Sequence, residues 1–424
     1  MVAAAIVDVI ITERCIVTLN PMLPDENLAN DIRALKAPVI LALAEDWARS
    51  EVRAAALESQ ALYIELPADR VQSVRVLQPL GDNEFRVDAQ GVGIEMLTSG
   101  TTGTPKRIPL ESRNFARMIL DAAVFESRTA GGIPPLRKSV AILNTPFSQI
   151  GGLFGLFTCL SAGRRACMLD RFQVEPFVDA IERHRPKTVS APPSGLRMIL
   201  DVDVPEEKLA SLVVFRTGAE PLDPDLAEAL NERYGIPVLQ NYGATEFAGG
   251  VAGWTLQDFK DFGALRRGSV GRMNPGVEGG VLDAETGEPA PFGQSGLLEL
   301  RGSHLGDGTN WMRSNDIARM DAENFLWILG RADNAIIRGG FKIIPNDVVR
   351  ATEPHPAVRK ACVIAQDDPR LGEEPVAAHL VKTEHLLAAE DLRVHLRQCL
   401  APYQVPVRLM QLAEMPRTPS MKVS

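Results

Sequence analysis

The 424-residue chain is 45% apolar and 23% charged, enough to bury cores in roughly two to three domains. Its net charge of −9, with no dense lysine or arginine run, argues against a nucleic-acid partner, so an anionic ligand would have to be caught by local loops. Five cysteines without a C-x-x-C pair and six histidines without H-x-x-x-H spacing disfavour a disulfide framework or a zinc site and point to a reducing, cytoplasmic compartment.

In chain order, the opening MVAAAIVDVII is apolar but lacks a basic leader and carries Asp8, so it reads as a buried helix or strand rather than a signal peptide. Short β-branched runs follow: SVAIL (139–143), TVSAPP (188–193), LVVFRTG (212–218) and PVLQNYG (237–243). Helical patterns lie among them. In NFARMILDA the residues Phe115, Met118, Ile119 and Ala122 share one face, and DPDLAEALNERYG closes on a capping Gly235. The stretch IGGLFGLFTCLSAG, from Ile150 to Gly163, is too short and too glycine-rich to cross a bilayer, and no transmembrane segment is expected. The alternation predicts an α/β fold with a substantially parallel sheet.

After about residue 265 the texture changes to glycine-punctuated strands, GSVGRM, GGVLDAETGEPA and GLLELRG, which suggest a β-rich subdomain with a turn at Glu285-Thr286-Gly287. From Ala332 onward a separate strand–helix pattern, including AAEDLRVHLRQCL, is long enough for a small domain of its own. There is no internal repeat and no low-complexity tract.

The stretch LTSGTTGTPKRIPLES (97–112) is too rich in hydroxyls and permissive backbone to be core, and it reads as a cradle for an oxyanion. It is not a Walker A loop: Gly100 and Gly103 are three apart, Pro105 precedes Lys106, and Arg107 follows. A strand (GIEML) precedes it, and a second short strand (RIPL) leads into a helix capped by Ser112. Alone, such a loop could equally be a plain surface turn. Farther on, IARM and FLWILG are strand-like and joined by the turn-rich Asp321-Ala322-Glu323-Asn324, so a hairpin there returns Arg331 to the end that carries Asp316. A carboxylate beside a guanidinium suits a ribose clamp, though an ordinary hairpin-end ion pair would look the same.

With the loop come GAEPL (218–222), NYGATEF (241–247), SNDIARM (314–320), GRADNAIIRGGFKI (330–343) and PRTPSMKV (416–423). In this order and spacing the motifs resemble the adenylate-forming superfamily of acyl-CoA synthetases, peptide-synthetase adenylation domains and luciferases, most of all the acyl-CoA ligases. The resemblance implies a large N-terminal domain (1–331) of parallel-sheet α/β subdomains plus a small β-rich subdomain. A small mobile α+β C-terminal domain (332–424) would follow, hinged at Asp333. It further implies ATP, Mg²⁺ and CoA as cofactor and substrates. A carboxylic acid would first become an acyl adenylate and then a thioester.

By the same resemblance Thr98, Ser99, Gly100, Thr101, Thr102 and Gly103 would give donors to the β- and γ-phosphates, with Lys106 as a nearby charge. Thr245 would hold the α-phosphate and Glu246 the Mg²⁺. Tyr242 would stack on adenine, flanked by Asn241 and Gly243, with Gly218, Ala219 and Glu220 along the ring edge. Asp316 and Arg331 would clamp the ribose. Lys422 would serve adenylation, while Gly339, Gly340, Phe341 and Lys342 would face the site and the CoA tunnel in the second half-reaction. Gln149, Ile150, Gly151 and Ala248 would line the acyl pocket, where small residues, Gly152 and Gly243 among them, would leave room for a bulky apolar acid, fatty or aryl.

Three departures from the family pattern stand out. The chain opens at a point that family members reach only after a substantial N-terminal portion, so a shortened core with exposed apolar surface is expected. Met421 precedes Lys422, where glycine is usual. Gln149 stands where an aromatic or histidine is commoner. Two other readings stay open: a ligase that loads a carrier protein's phosphopantetheine, and a nucleotide-binding remnant with little turnover. A homodimer is compatible with all three.

Overall fold

The computed structural model describes residues 1–67, 73–87, 89–97, 107–127, 136–284, 286–332, 334–338, 341–368, 370–383 and 385–416. Contacts divide the chain into two compact units: residues up to 238 together with 243–250, and residues 239–242 together with 251 onward.

In the first unit the apolar opening is a helix, Val2–Ile11, whose Ile6 is buried. Ile6 joins a core with Ile94, Met96, Leu110, Phe115, Met118 and Leu153. The strand Val92–Leu97 lies parallel to Ile16–Val17 and antiparallel to Arg107–Glu111. The helix after it, Ser112–Ser127, includes Ser112 as its first residue rather than as a cap, a difference within the usual fraying of helix ends. Phe115, Met118 and Ile119 are buried along its inner face, as their spacing predicts.

A separate sheet pairs Val39–Leu43 with Leu62–Leu66 in parallel and Leu62–Leu66 with Arg75–Gln78 antiparallel. Its two faces differ sharply. Ile40 and Tyr63 enter a core under Trp47, whose ring stacks on Tyr63 at 4.3 Å between centroids. On the opposite face the alternation leaves Val39, Leu41 and Val76 exposed to solvent. Two further parallel pairs complete the unit: Val140–Leu143 with Arg165–Met168, and Thr188–Ser190 with Val214–Thr217. Helices Val174–His184, Pro193–Asp201 and Pro224–Tyr234 cover the second pair through Phe177, Ile181, Leu196 and Leu230. The last of them ends where sequence places it, at Gly235 with φ +66°.

The second unit is antiparallel through Gly271–Met273, Phe325–Arg331, Met312–Met320, Ser295–Gly302 and Val277–Leu282. Phe325 is fully buried beneath two guanidinium groups, Arg266 and Arg272, at 4.5 and 4.7 Å from its ring centre. Its later part is α+β. Strands Ile336–Arg338, Phe341–Ile343, Val358–Asp368, Gly372–Val381 and Arg408–Gln411 form one sheet, and helices Pro345–Thr352 and Ala389–Cys399 supply Val348, Leu392 and Leu396 to its core.

Two close fits generate stability predictions. Arg107 binds both oxygens of Asp31 at 2.6 Å, and the two side chains are only 18% and 16% exposed. Asp31→Ala strands a desolvated guanidinium and is expected to cost about 3 kcal/mol in urea unfolding, most of it recovered in the doubly apolar Asp31→Leu/Arg107→Leu chain. A loss below about 0.5 kcal/mol would show the pair to be solvent-screened. At Gly243 an added Cβ would stand 2.1 Å from the Gly249 carbonyl oxygen, so the backbone itself would have to move. Gly243→Ala should therefore cost about 3 kcal/mol. Gly151→Ala is the control, because its Cβ meets only Thr145 Cγ2 at 3.6 Å. Equal melting midpoints for the two variants would contradict the close-approach argument.

Candidate active site

The hydroxyl-rich segment starts and ends on paired residues, since Leu97 and Arg107 face each other across two antiparallel strands. Thr98, Ser99, Gly100, Thr101, Thr102, Gly103 and Lys106 themselves lie outside the described residues. What surrounds their flanks is rigid and polar. Arg107 is tied to Asp31, and Arg86 makes two bonds, 2.9 and 2.6 Å, to the buried carboxylate of Glu95. The Arg107–Asp31 anchor is not recognisable from sequence, because the two residues are separated by 76 positions. The only hint is a charged residue inside a short apolar strand.

In the same unit, Gly218, Ala219 and Glu220 follow the strand Val214–Thr217 directly. Ala219 adopts φ +66°, a left-handed conformation that costs energy for a residue with a Cβ and turns the chain sharply at the strand's end. Thr245 and Glu246 open a single 3-10 turn, Thr245–Phe247, which Ala248 closes at φ +57° by donating its N–H to the Thr245 carbonyl. Among the described residues no three His, Cys, Asp or Glu side chains are placed to hold a metal ion. Magnesium commonly takes one or two protein carboxylates together with phosphate oxygens and water, so the single carboxylate of Glu246, next in sequence to Thr245, fits that donor set.

Of the residues expected at the acyl pocket, Ile150 and Ala248 meet in one apolar cluster with Phe147 and Met118. Gln149 precedes the helix Ile150–Ser161 in extended conformation, and Gly151 lies in its first turn. The smallness of Gly152 and Gly243 has a cause other than room for a substrate. An added Cβ would fall 2.2 Å from the Pro146 carbonyl oxygen at Gly152 and 2.1 Å from that of Gly249 at Gly243. Ala248 is itself 3% exposed, a core residue.

The second unit holds the strongest polar assembly. The hairpin expected from IARM and FLWILG is present, and its register sets Asp316 directly opposite Arg331. Asp321 shapes the turn by accepting from the N–H groups of Glu323 and Phe325, and Asn324 supplies φ +64°. Tyr242, on the strand Val238–Ala244 beside Asn241, donates its hydroxyl to the Asp316 carboxylate. Burial first, and then the Asp316 charge, pushes the Tyr242 phenol far above its ordinary range, so it stays a protonated donor. Ser314, which sequence reading gave no role, accepts from the Asp316 N–H at 3.0 Å and donates to the Leu298 carbonyl at 3.1 Å.

Phe341 and Lys342 sit on a short strand, opposite Arg338 and Ile337. Asp333, Gly339, Gly340 and Lys422 lie outside the described residues.

The family model for AMP-binding enzymes matches residues 11–308, and that for the AMP-binding enzyme C-terminal domain matches 350–422. A sulfoacetate–CoA ligase of Cupriavidus necator is 31% identical over 343 residues, covering 77% of this chain and 65% of the relative. The 4-coumarate–CoA ligase-like 9 protein of Arabidopsis thaliana is 26% identical over 344 residues, covering 77% of this chain and 60% of its own. The matched region thus spans less than two thirds of either relative. Among solved structures, the O-succinylbenzoate coenzyme A synthetase of Bacillus subtilis, in complex with ATP and magnesium, superposes with a TM-score of 0.79 at 22% identity. That match covers all of this chain and 85% of the neighbour, a likeness of fold. With seven-tenths of its length matched by one family model and most of the remainder by the companion model, the chain belongs to the AMP-binding enzyme family.

Proposed function

We propose that the chain is an AMP-forming acyl-CoA synthetase that activates an apolar carboxylic acid, fatty or aryl, in the cytoplasm. The observation that carries the nucleotide part is the grouping of Tyr242, Asp316 and Arg331, an aromatic, a carboxylate and a guanidinium, assembled from two separate stretches of chain. In support stand the family membership and the CoA ligases among the relatives. For the apolar acid, the support is the partly buried Phe147 and Ile150 on either side of Gln149.

In this reading a carboxylate oxygen attacks the α-phosphorus of ATP, the bond to the bridging oxygen breaks, and pyrophosphate leaves. A thiol sulfur then attacks the acyl carbon, the bond to the AMP oxygen breaks, and AMP departs while the thiol proton goes to solvent. The first step brings one anion to another, so positioning and charge neutralisation carry the catalysis. Thr98 to Gly103 and Lys106 would hold the β- and γ-phosphates, Thr245 the α-phosphate, and Glu246 would hold Mg²⁺ against the phosphate oxygens. Gly218 to Glu220 would border the adenine that stacks on Tyr242, and Asp316 with Arg331 would fix the ribose. Gln149 and Gly151 would complete the acyl pocket. The C-terminal domain, from 332 onward, would turn at Asp333, presenting Lys422 for adenylation and Gly339 to Lys342 for thioester formation.

Acid-dependent exchange of labelled pyrophosphate into ATP, followed by addition of free CoA, tests the reading. Exchange with an apolar acid, then AMP release with CoA, is the expected result. Exchange with no AMP release on adding CoA, but with AMP release on adding a phosphopantetheinylated carrier, would replace the acceptor, and nucleotide binding without exchange would replace the reaction. Lys422→Ala should slow exchange by about 100-fold, the weight of one charge aimed at the transferring phosphoryl. Thioester formation from supplied acyl adenylate should survive. Equal loss in both half-reactions would contradict the division of labour.

A further inference from the structure

Stacking alone asks for a flat ring, and phenylalanine would meet that need. Tyr242 adds a buried hydroxyl, and a buried hydroxyl needs a partner. Its partner is the Asp316 carboxylate, 74 positions away in the chain. Asp316 is held from a second direction as well: Ser314 accepts from its backbone N–H and is itself fastened to the Leu298 carbonyl. Side chain and main chain of one acid are thus held from two directions, and Ser314 also hydrogen-bonds the Tyr242 phenol. A carboxylate offers about four acceptor positions, and the phenol takes one of them.

We infer that the Tyr242 hydroxyl is a positioning group for Asp316, setting the carboxylate at the angle from which it meets the ribose hydroxyls. The inference rests on the nucleotide-site reading above and adds to it a role for an atom that ring stacking leaves without one. Without the phenol the carboxylate would lose one of the contacts that set its angle, and the ribose hydroxyls would have to supply that ordering on binding. The effect is confined to ligands that have those hydroxyls.

Titration calorimetry of wild type and Tyr242→Phe with ATP and with 2′,3′-dideoxy-ATP tests this without turnover. The expected result is that Tyr242→Phe weakens ATP about 10-fold, the scale of one hydrogen bond to a charged group. Its effect on the dideoxy nucleotide should stay within about 2-fold, since the adenine-stacking ring is unchanged. In an Asp316→Ala background the phenylalanine should likewise have almost no effect on ATP. Equal losses for the two nucleotides, or no loss for either, would overturn the inference and leave Tyr242 a stacking residue. Failure of the wild type to bind ATP would overturn the nucleotide site itself, and the inference with it. Should Tyr242→Phe not fold, Tyr242→Trp keeps a flat ring without the phenol, and the same ATP-selective loss is expected of it.

Discussion

Across the antiparallel strands Met312–Met320 and Phe325–Arg331, the register sets Asp316 against Arg331, and the proposed nucleotide chemistry depends on that pairing. A slip of either strand by one residue would turn its side chain to the other face of the sheet and part the two. The turn resists the slip. Asp321 accepts from two backbone N–H groups at its tip, and Arg266 binds the same carboxylate at 2.8 Å while lying over the buried Phe325 ring. Local turn chemistry and core packing thus hold the turn end, and a one-residue register shift at Ile317/Ala318 brings Asp316 opposite Arg331 at the far end of the hairpin.

Electrostatics gives the same picture on a larger scale. A chain with net charge −9 offers no general attraction to a polyanion, so affinity must come from a few donors held in place. Around the flanks of the hydroxyl-rich segment, Arg107 and Arg86 are already committed to Asp31 and Glu95. They stiffen the strands rather than offering charge to a ligand. In the proposed site the phosphates would then fall to backbone and hydroxyl donors with Lys106, the division of labour that the segment's composition suggests.

The hairpin was legible in sequence because its strands and its polar turn are local, whereas the one-residue register shift at Ile317/Ala318 that brings Asp316 opposite Arg331 was not. Gly235 was legible for the same reason, as a glycine closing a helical pattern. The long-range contacts within each unit were not. Tyr242 with Asp316, and Arg107 with Asp31, join residues more than 70 positions apart, and no local pattern carries such a pairing. Gly152 and Gly243 show how a local reading can assign the wrong cause. Small residues next to a supposed acyl channel suggest space, whereas the carbonyls of Pro146 and Gly249 occupy the place a Cβ would take. The same residue type is required, and the reason is close backbone approach.

The account's central claim is that the nucleotide is read by the ring of Tyr242 and the carboxylate of Asp316. A crystal structure of the chain with ATP tests it most directly. The adenine is predicted to lie on the Tyr242 ring with both ribose hydroxyls donating to Asp316 and Arg331 alongside. A nucleotide bound with its ribose away from Asp316 would contradict it.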